Sequence, residues 1–475
     1  MEQPRWSMPG YYELGRGYQM PIAEKVVATV ADTSLYAEHV NPQWVRLLDL
    51  LGMNAEYVDC QGERLRTADG RTILDFLSGY CVYNAGHNHP LIVQALREEL
   101  AHNSPSMLQS HVSASAGELA ARLCSLAGGR LKKAYFCSSG SEGVETAIKF
   151  ARAFTGRDGL IAARGAFHGL TCGALSLMDH GFWSDGFGPL LPGVEFVDFG
   201  NLEQMEELLA TRRFAALMLE PVQGEGGIVV PADDYLPKAQ ALCRRYGTLF
   251  VLDEVQTGLY RTGRFLAAQH YGLDPDMVIL AKALSGGLVP VGAVLMTEGI
   301  YESVYGSLRR AIVHTSTYSE NSLAMRAGLA TLEVLEEEEL GSRALAAGEA
   351  FRERLREALI GYEMVAEVRG LGFMTGIVFQ APRSLRLRIS FETFHHIHPA
   401  MFGQMLVMRM YREHGILTQI CGNNFMVLKA APPLNVSRES FDAFVEGVRA
   451  TVETVHSSKH FWQDAIGLAA RAVSI

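Results

Sequence analysis

Through the middle of the chain, short apolar runs alternate with stretches that repeat apolar residues at helical spacing. The runs cover 134–137, 159–163, 194–198, 215–220, 249–253, 277–280 and 293–296, with helix-like segments at 141–154, 202–212 and 235–246. A strand buried on both faces reads as a continuous apolar run. Alternation of such runs with helices predicts a mostly parallel sheet flanked by helices. Two further helices are expected at 90–102 and 115–127. Residues 1–50 read as an N-terminal arm with one or two helices. Next, 56–65 and 72–76 flank Asp69-Gly70, a hairpin turn signal. Beyond residue 320 the texture changes to α+β. Long helices are expected at 322–339 and 343–359, strands at 365–368 and 375–379, a loop at 383–399, a helix at 401–414, strands at 416–420 and 425–428, and a closing helix at 437–455. The expected division is therefore 1–74 (N-terminal arm and part of a small domain), 75–330 (large α/β domain) and 331–475 (small α+β domain).

Composition narrows the picture without setting it. Of 475 residues, 48% are hydrophobic and 20% charged, a globular balance. The formal charge of −10 argues against a general nucleic-acid binder, which needs a basic surface. The seven cysteines are widely spaced and contain no CxxC, so reduced thiols in a cytoplasmic protein are expected rather than a disulfide framework or zinc site. The start Met1-Glu2-Gln3-Pro4-Arg5-Trp6 has no basic segment leading into an apolar one, so no signal peptide is expected. The longest apolar stretch, 277–296, carries Lys282 and Pro290, so it is not read as a membrane span.

Four local features carry chemistry. Phe250-Val251-Leu252-Asp253 is a strand ending in a carboxylate, where open parallel sheets bind their ligands. A capping or surface aspartate is the plain alternative. Lys282 closes a second apolar run. An amine there loses solvation and becomes a nucleophile, unless its head simply snorkels to water. Ser138-Ser139-Gly140-Ser141-Glu142 leads from a strand into a helix, which suits a phosphate or an ordinary N-cap. Phe167-His168-Gly169 offers a ring to stack on a flat ligand, or a core phenylalanine beside a satisfied histidine. Taken together they meet the needs of pyridoxal 5′-phosphate (PLP): a phosphate cup, a stacking ring, an acid for the ring nitrogen and an amine for a Schiff base.

The order of motifs resembles the class III (ω-type) aminotransferases of PLP fold type I, from about Asn41 to Val455. It includes Leu77-Ser78-Gly79 and Gly86-His87-Asn88-His89-Pro90, then the Ser139-Gly140-Ser141-Glu142 cup and Phe167-His168-Gly169. Glu220-Pro221-Val222-Gln223-Gly224-Glu225, Asp253-Glu254-Val255-Gln256-Thr257-Gly258, Lys282, His314-Thr315-Ser316-Thr317-Tyr318 and Ala431-Pro432-Pro433-Leu434 follow. The resemblance implies that Lys282 holds the cofactor as a Schiff base and shuttles a proton. It implies that Asp253 pairs with the pyridinium nitrogen, that Gln256 binds the ring oxygen, and that Val255 and Phe167, with His168 beside it, border the ring. Ser139, Gly140 and Ser141 would cradle the phosphate, and Glu220 would support the Asp253 region. Thr317 would reach the phosphate of a neighbouring subunit, so a homodimer with shared sites is implied.

One departure bears on substrate. Where members acting on α-amino acids commonly carry an arginine, this chain has Lys429, which lacks the bidentate fork for a carboxylate. Glu225 matches a gating residue of ornithine-type relatives. It is expected to pair with Lys429, to meet a distal amine, or to form with Lys429 a solvated surface pair. The expected reaction moves an amino group from an amine, diamine or ω-amino acid to a keto acid or aldehyde by a ping-pong route. An aminomutase or decarboxylase of the same fold is the alternative; a non-catalytic cofactor-binding or assembly protein is a third. His395, His396 and His398 fit no tetrahedral metal pattern, and a loop near the site entrance is expected for them.

Overall fold

A computed structural model of the chain describes residues 33–108, 110–179, 181–457 and 461–462. The expectation for 1–32 lies outside them. Helices Ser34–His39 and Pro42–Leu51 account for the rest of the arm. The second is set by Asn41, whose side chain accepts the N–H groups of Gln43 and Trp44, by Pro42 at its first position, and by Gly52 in the left-handed conformation at its end.

Strands β1 (Tyr57–Gln61), β2 (Arg64–Thr67) and β3 (Thr72–Asp75) form an antiparallel meander. The single run expected at 56–65 is thus two strands, turning at Gly62, and Asp69-Gly70 makes the second turn.

The central sheet contains β4 (Leu131–Cys137), β5 (Gly159–Ala163), β6 (Val194–Val197), β7 (Phe214–Leu219), β8 (Leu249–Asp253), β9 (Met277–Leu280) and β10 (Gly292–Thr297). Its order is β4-β10-β9-β8-β7-β5-β6, and only β10 runs against the others. The two-residue period of a strand feeds two cores. Phe250, Leu252, Val278 and Leu280 face one, shared with helix Tyr235–Tyr246. Leu249, Val251, Met277 and Ile279 face the other, shared with helix Gly140–Thr155. That helix lies close on the sheet at Gly143, where a Cβ would stand 2.6 Å from Ile279.

The C-terminal part adds β11 (Val365–Leu371), β12 (Met374–Phe379), β13 (Ile416–Leu417), β14 (Gln419–Cys421) and β15 (Asn424–Ala430). An antiparallel sheet has the order β11-β12-β15-β14, while β13 pairs in parallel with β3. The single strand expected at 416–420 is therefore two, because the chain crosses from one sheet to another at Thr418. Its hydroxyl is tied to the Lys429 carbonyl.

The expected loop at 383–399 is also corrected. Leu385–Ile397 is a helix. Its buried Leu387 and Phe391, one turn apart, anchor it, and Phe391 packs edge-on against Phe402 of helix Met401–His414. His395 and His396 lie exposed on its last turn, and His398 just after it. Among the described residues no helix is long and apolar enough to cross a membrane.

Candidate active site

Five strands of the central sheet, β4, β5, β7, β8 and β9, point the same way, and their carboxyl ends meet at one cavity of about 480 Å³. Each end delivers a piece of it. Ser138–Ser141 follow β4, Phe167 and His168 follow β5, Glu220 follows β7, Asp253, Val255 and Gln256 close β8, and Lys282 follows β9. This is where an open α/β sheet offers a ligand site.

Asp253 is buried with both oxygens engaged. One accepts the Val255 N–H at 3.0 Å, and the other meets His168 Nδ1 at 2.8 Å. Burial opposes a charge on His168, but the hydrogen bond and charge of Asp253, helped by Glu220, outweigh it and raise the pKa. His168 Nε2 is buried and without a partner. Glu220 accepts the N–H groups of Phe167 at 3.0 Å and Gly224 at 2.9 Å, and burial raises its pKa to about 7. It makes no direct bond to Asp253; the two are linked through Phe167 and the neighbouring His168.

Lys282 has φ of 45°, a left-handed value that a lysine adopts only when its surroundings impose it. Burial lowers its pKa, against the pull of Cys81, Glu225, Asp253 and Glu220. Deprotonation makes the amine nucleophilic.

Ser139 caps helix Gly140–Thr155, its hydroxyl accepting the Glu142 N–H at 3.2 Å. The first turn of this 16-residue helix presents backbone N–H groups and the positive end of its dipole. At Gly140 a Cβ would stand 3.0 Å from the Val255 side chain, a tight contact that glycine avoids at the cup.

Glu225 and Lys429 lie beside this cavity. Lys429 Nζ is 2.6 Å from Glu225 Oε1, and the residues are 3% and 6% exposed. The solvated pair weighed above is thus corrected: the pair is buried. Glu225 Oε1 also accepts the Gln256 amide at 3.2 Å, and Oε2 the Gly422 N–H at 2.7 Å. Lys429 Nζ stands 4.6 Å over the Tyr80 ring. Tyr80 sits in a run of four left-handed residues, Ser78 to Cys81, whose entry is pinned by Asp75 Oδ1 accepting the Leu77 and Ser78 N–H groups. Sequence reasoning stopped at Leu77-Ser78-Gly79 and missed Tyr80. Nothing in a Ser-Gly-Tyr-Cys string announces a left-handed turn.

A PLP-sized ligand fits the donor set. The cavity has the volume of a small-molecule site, an anion cup at one end and a buried carboxylate at the other, with a desolvated amine between strand ends. The profile of the family "Aminotransferase class-III" matches residues 52–452. The chain belongs to the class-III aminotransferases. Its cofactor is pyridoxal 5′-phosphate and its fold that of the type I PLP enzymes. Aminotransferase PigE of a Serratia strain is 34% identical over 441 residues, 86% of this chain but 52% of that protein. The chain thus spans about half the length of this curated relative. The ornithine aminotransferase of Toxoplasma gondii, whose structure was described with partial occupancy of PLP at the active site, is 29% identical with a TM-score of 0.76, covering 85% of this chain and 91% of its own. A thermostable (S)-enantioselective ω-transaminase from Thermomicrobium roseum is 32% identical with a TM-score of 0.76, covering 84% and 93%.

In this class-III chain, Ser139, Gly140, Ser141, Phe167, His168, Glu220, Asp253, Val255, Gln256 and Lys282 are gathered at one cavity. Thr317 is exposed and does not line it. Neither do His395, His396 and His398 line it.

Proposed function

We propose that this chain transfers an amino group from an amine or ω-amino acid to a keto acid or aldehyde. The observation that carries this reading is the desolvated Lys282 amine sharing one cavity with the buried Asp253–His168 pair. When bound, PLP supplies an electrophilic carbonyl and an electron-accepting ring. Lys282 would hold that carbonyl through its amine, and the same amine, when free, would take and return the proton at the substrate Cα. Asp253 holds a proton at the ring nitrogen, with His168 and the Val255 N–H fixing the carboxylate's position. The cup at Ser139–Ser141 would hold the phosphate, and the cavity-lining Phe167 and Val255 would pack against the ring. Gln256, already bonded to Glu225, links the ring's edge to the donor side. The order proposed is ping-pong, donor and acceptor using the one cavity in turn.

The substrate class rests on Lys429. Its ammonium is engaged by Glu225 and covered by Tyr80, so it is not offered to an α-carboxylate. A donor bearing only an amine at the reacting end suits this site, whether a diamine, the distal amine of an ornithine-like amino acid, or an apolar amine. Exposed Thr317, within 314–318, suits a role at a neighbouring subunit's phosphate, and hence a homodimer with shared sites in the cytoplasm. The separate sheets support a division into 1–74, 75–330 and 331–475, with β13 of the last part completing the sheet of the first.

The test is a half-reaction screen on the cofactor-loaded protein, following loss of cofactor absorbance with paired donors such as putrescine and ornithine. Faster discharge by the plain amine, with net amino transfer to an added keto acid and no carbon dioxide release, is expected. Carbon dioxide release, or no transfer, would refute the reading.

A further inference from the structure

We infer that Trp183 is a specificity-determining residue that makes the donor side of the site an aromatic slot for the apolar tail of a primary amine. This rests on the aminotransferase reading and names its substrate class more narrowly.

Trp183 belongs to the short helix Gly181–Ser184. It meets the cavity-lining Phe167 edge-to-face, with ring centroids 5.3 Å apart. Phe182 also meets it edge-to-face, at 4.9 Å, and is 66% exposed. Pairwise ring contacts therefore connect the cavity-lining Phe167, through Trp183, to the exposed Phe182. Beyond Gly169, Leu170 is likewise 54% exposed. Exposed apolar groups leading out of a ligand cavity mark a path for apolar ligand surface.

The wall is built to stay in place. The Trp183 indole N–H donates to Asn423 Oδ1 at 2.6 Å. Asn423 is itself fixed, its amide donating to the Gly165 and Ala166 carbonyls at 3.0 Å and its backbone N–H to the Glu225 carbonyl at 3.0 Å. At Gly422 a Cβ would stand 3.0 Å from the Trp183 ring and 3.1 Å from Glu225 Oε2. The indole thus packs beside the buried carboxylate, while Tyr80 covers the lysine of the same pair. One aromatic residue stands against each partner of an ion pair that has neutralised itself. Among the described residues, the donor side consequently offers apolar faces, with the charges of Glu225 and Lys429 paired to each other. A chain of methylenes or an aryl group gains from such a wall, whereas a carboxylate or second ammonium must be desolvated with nothing to meet it.

The experiment measures kcat/KM of the donor half-reaction for straight-chain primary amines of increasing length. In parallel, calorimetry gives the affinity of the cofactor-loaded protein for 1-alkanols of the same lengths, which bind without reacting. The expected slope is about fourfold per added methylene until the slot is full. Trp183→Ala is expected to lower that slope to under about twofold in both measurements, and Trp183→Phe to restore most of it. Retained cofactor absorbance shows that each variant is folded. A slope that is flat in the native protein, or unchanged in Trp183→Ala, overturns the assignment and leaves the aminotransferase reading standing. If no amine discharges the cofactor, that reading falls, and the alkanol affinities alone decide on Trp183.

Discussion

Breaking the Glu225–Lys429 pair from either side, and then from both, separates a buried charge lock from an ordinary surface contact. The ammonium and carboxylate are 2.6 Å apart with side chains 3% and 8% exposed. At that depth, removing one partner strands the other charge out of water, at a cost of about 3–5 kcal/mol. Lys429→Met and Glu225→Gln are each expected to destabilise the cofactor-loaded protein by that order. The double variant replaces both charges with neutral groups of similar shape and should cost no more than either single change, which makes the coupling in the cycle at least about 3 kcal/mol. Urea unfolding of the four proteins measures it. An exposed pair would give only about 0–1 kcal/mol and additive losses.

The lock also predicts substrate choice. Burial pushes Lys429 towards neutrality, but the charge and hydrogen bond of Glu225 reverse this and raise its pKa. Burial pushes Glu225 up, but Lys429, Gly422 and Gln256 bring it below its ordinary 4.5. The carboxylate's contribution is therefore present above 4.5 and lost as pH falls through its lower folded value. The lysine's contribution is present below 10.5 and lost only as pH rises through its higher folded value. Between those limits the pair stays ionised and closed. Glu225→Gln removes the ammonium's anionic partner, so it becomes available to an α-carboxylate. The ornithine-to-putrescine ratio of half-reaction rates should rise about tenfold, the worth of one charge-assisted hydrogen bond. Additive stability losses together with an unchanged donor ratio would refute the lock.

Other expectations are simpler to state. Lys282→Ala should lose at least about 10²–10⁴-fold in turnover, since no other amine reaches the substrate Cα; near-native single-turnover rates would contradict its role. Asp253→Asn should lower kcat by about 10²–10³-fold, because an amide cannot hold the ring-nitrogen proton, and the loss should appear in single-turnover rates with little change in KM. Glu254, bonded to the Ala267 and Ala268 N–H groups and the Thr257 hydroxyl, is pushed by burial from 4.5 to about 7. Its folded form binds the proton more tightly, so its contribution is present below 4.5 and lost as pH rises through about 7. Cofactor-free native protein should therefore lose stability across about pH 5–7 relative to Glu254→Gln, by up to about 1.4 kcal/mol per pH unit. Denaturation at several pH values checks this, and parallel curves would contradict it.

What the sequence makes legible follows from how each feature is encoded. The central sheet is written in local apolar runs, because strands covered on both faces have no alternative composition, and β5, β8 and β9 appear where those runs lie. Residues delivered by strand ends are legible for the same reason: Asp253 and Lys282 are polar interruptions at the ends of apolar strings. The helix Leu385–Ile397 was hidden because, among its described side chains, Leu387 and Phe391 are the buried apolar ones, set among arginines and histidines that resemble a solvated loop. The split of 416–421 was hidden because pairing with β3 is a contact across more than 300 positions, which no local pattern records. Tyr80 and Trp183 belong to the same class of omission. One depends on a left-handed turn pinned by Asp75, the other on a hydrogen bond from an indole to Asn423, 240 residues away. The parts of the site that handle the cofactor are encoded at strand ends, close to their scaffold. The parts that choose the substrate are encoded in long-range packing, so a family resemblance that identifies the first leaves the second to be found in the structure.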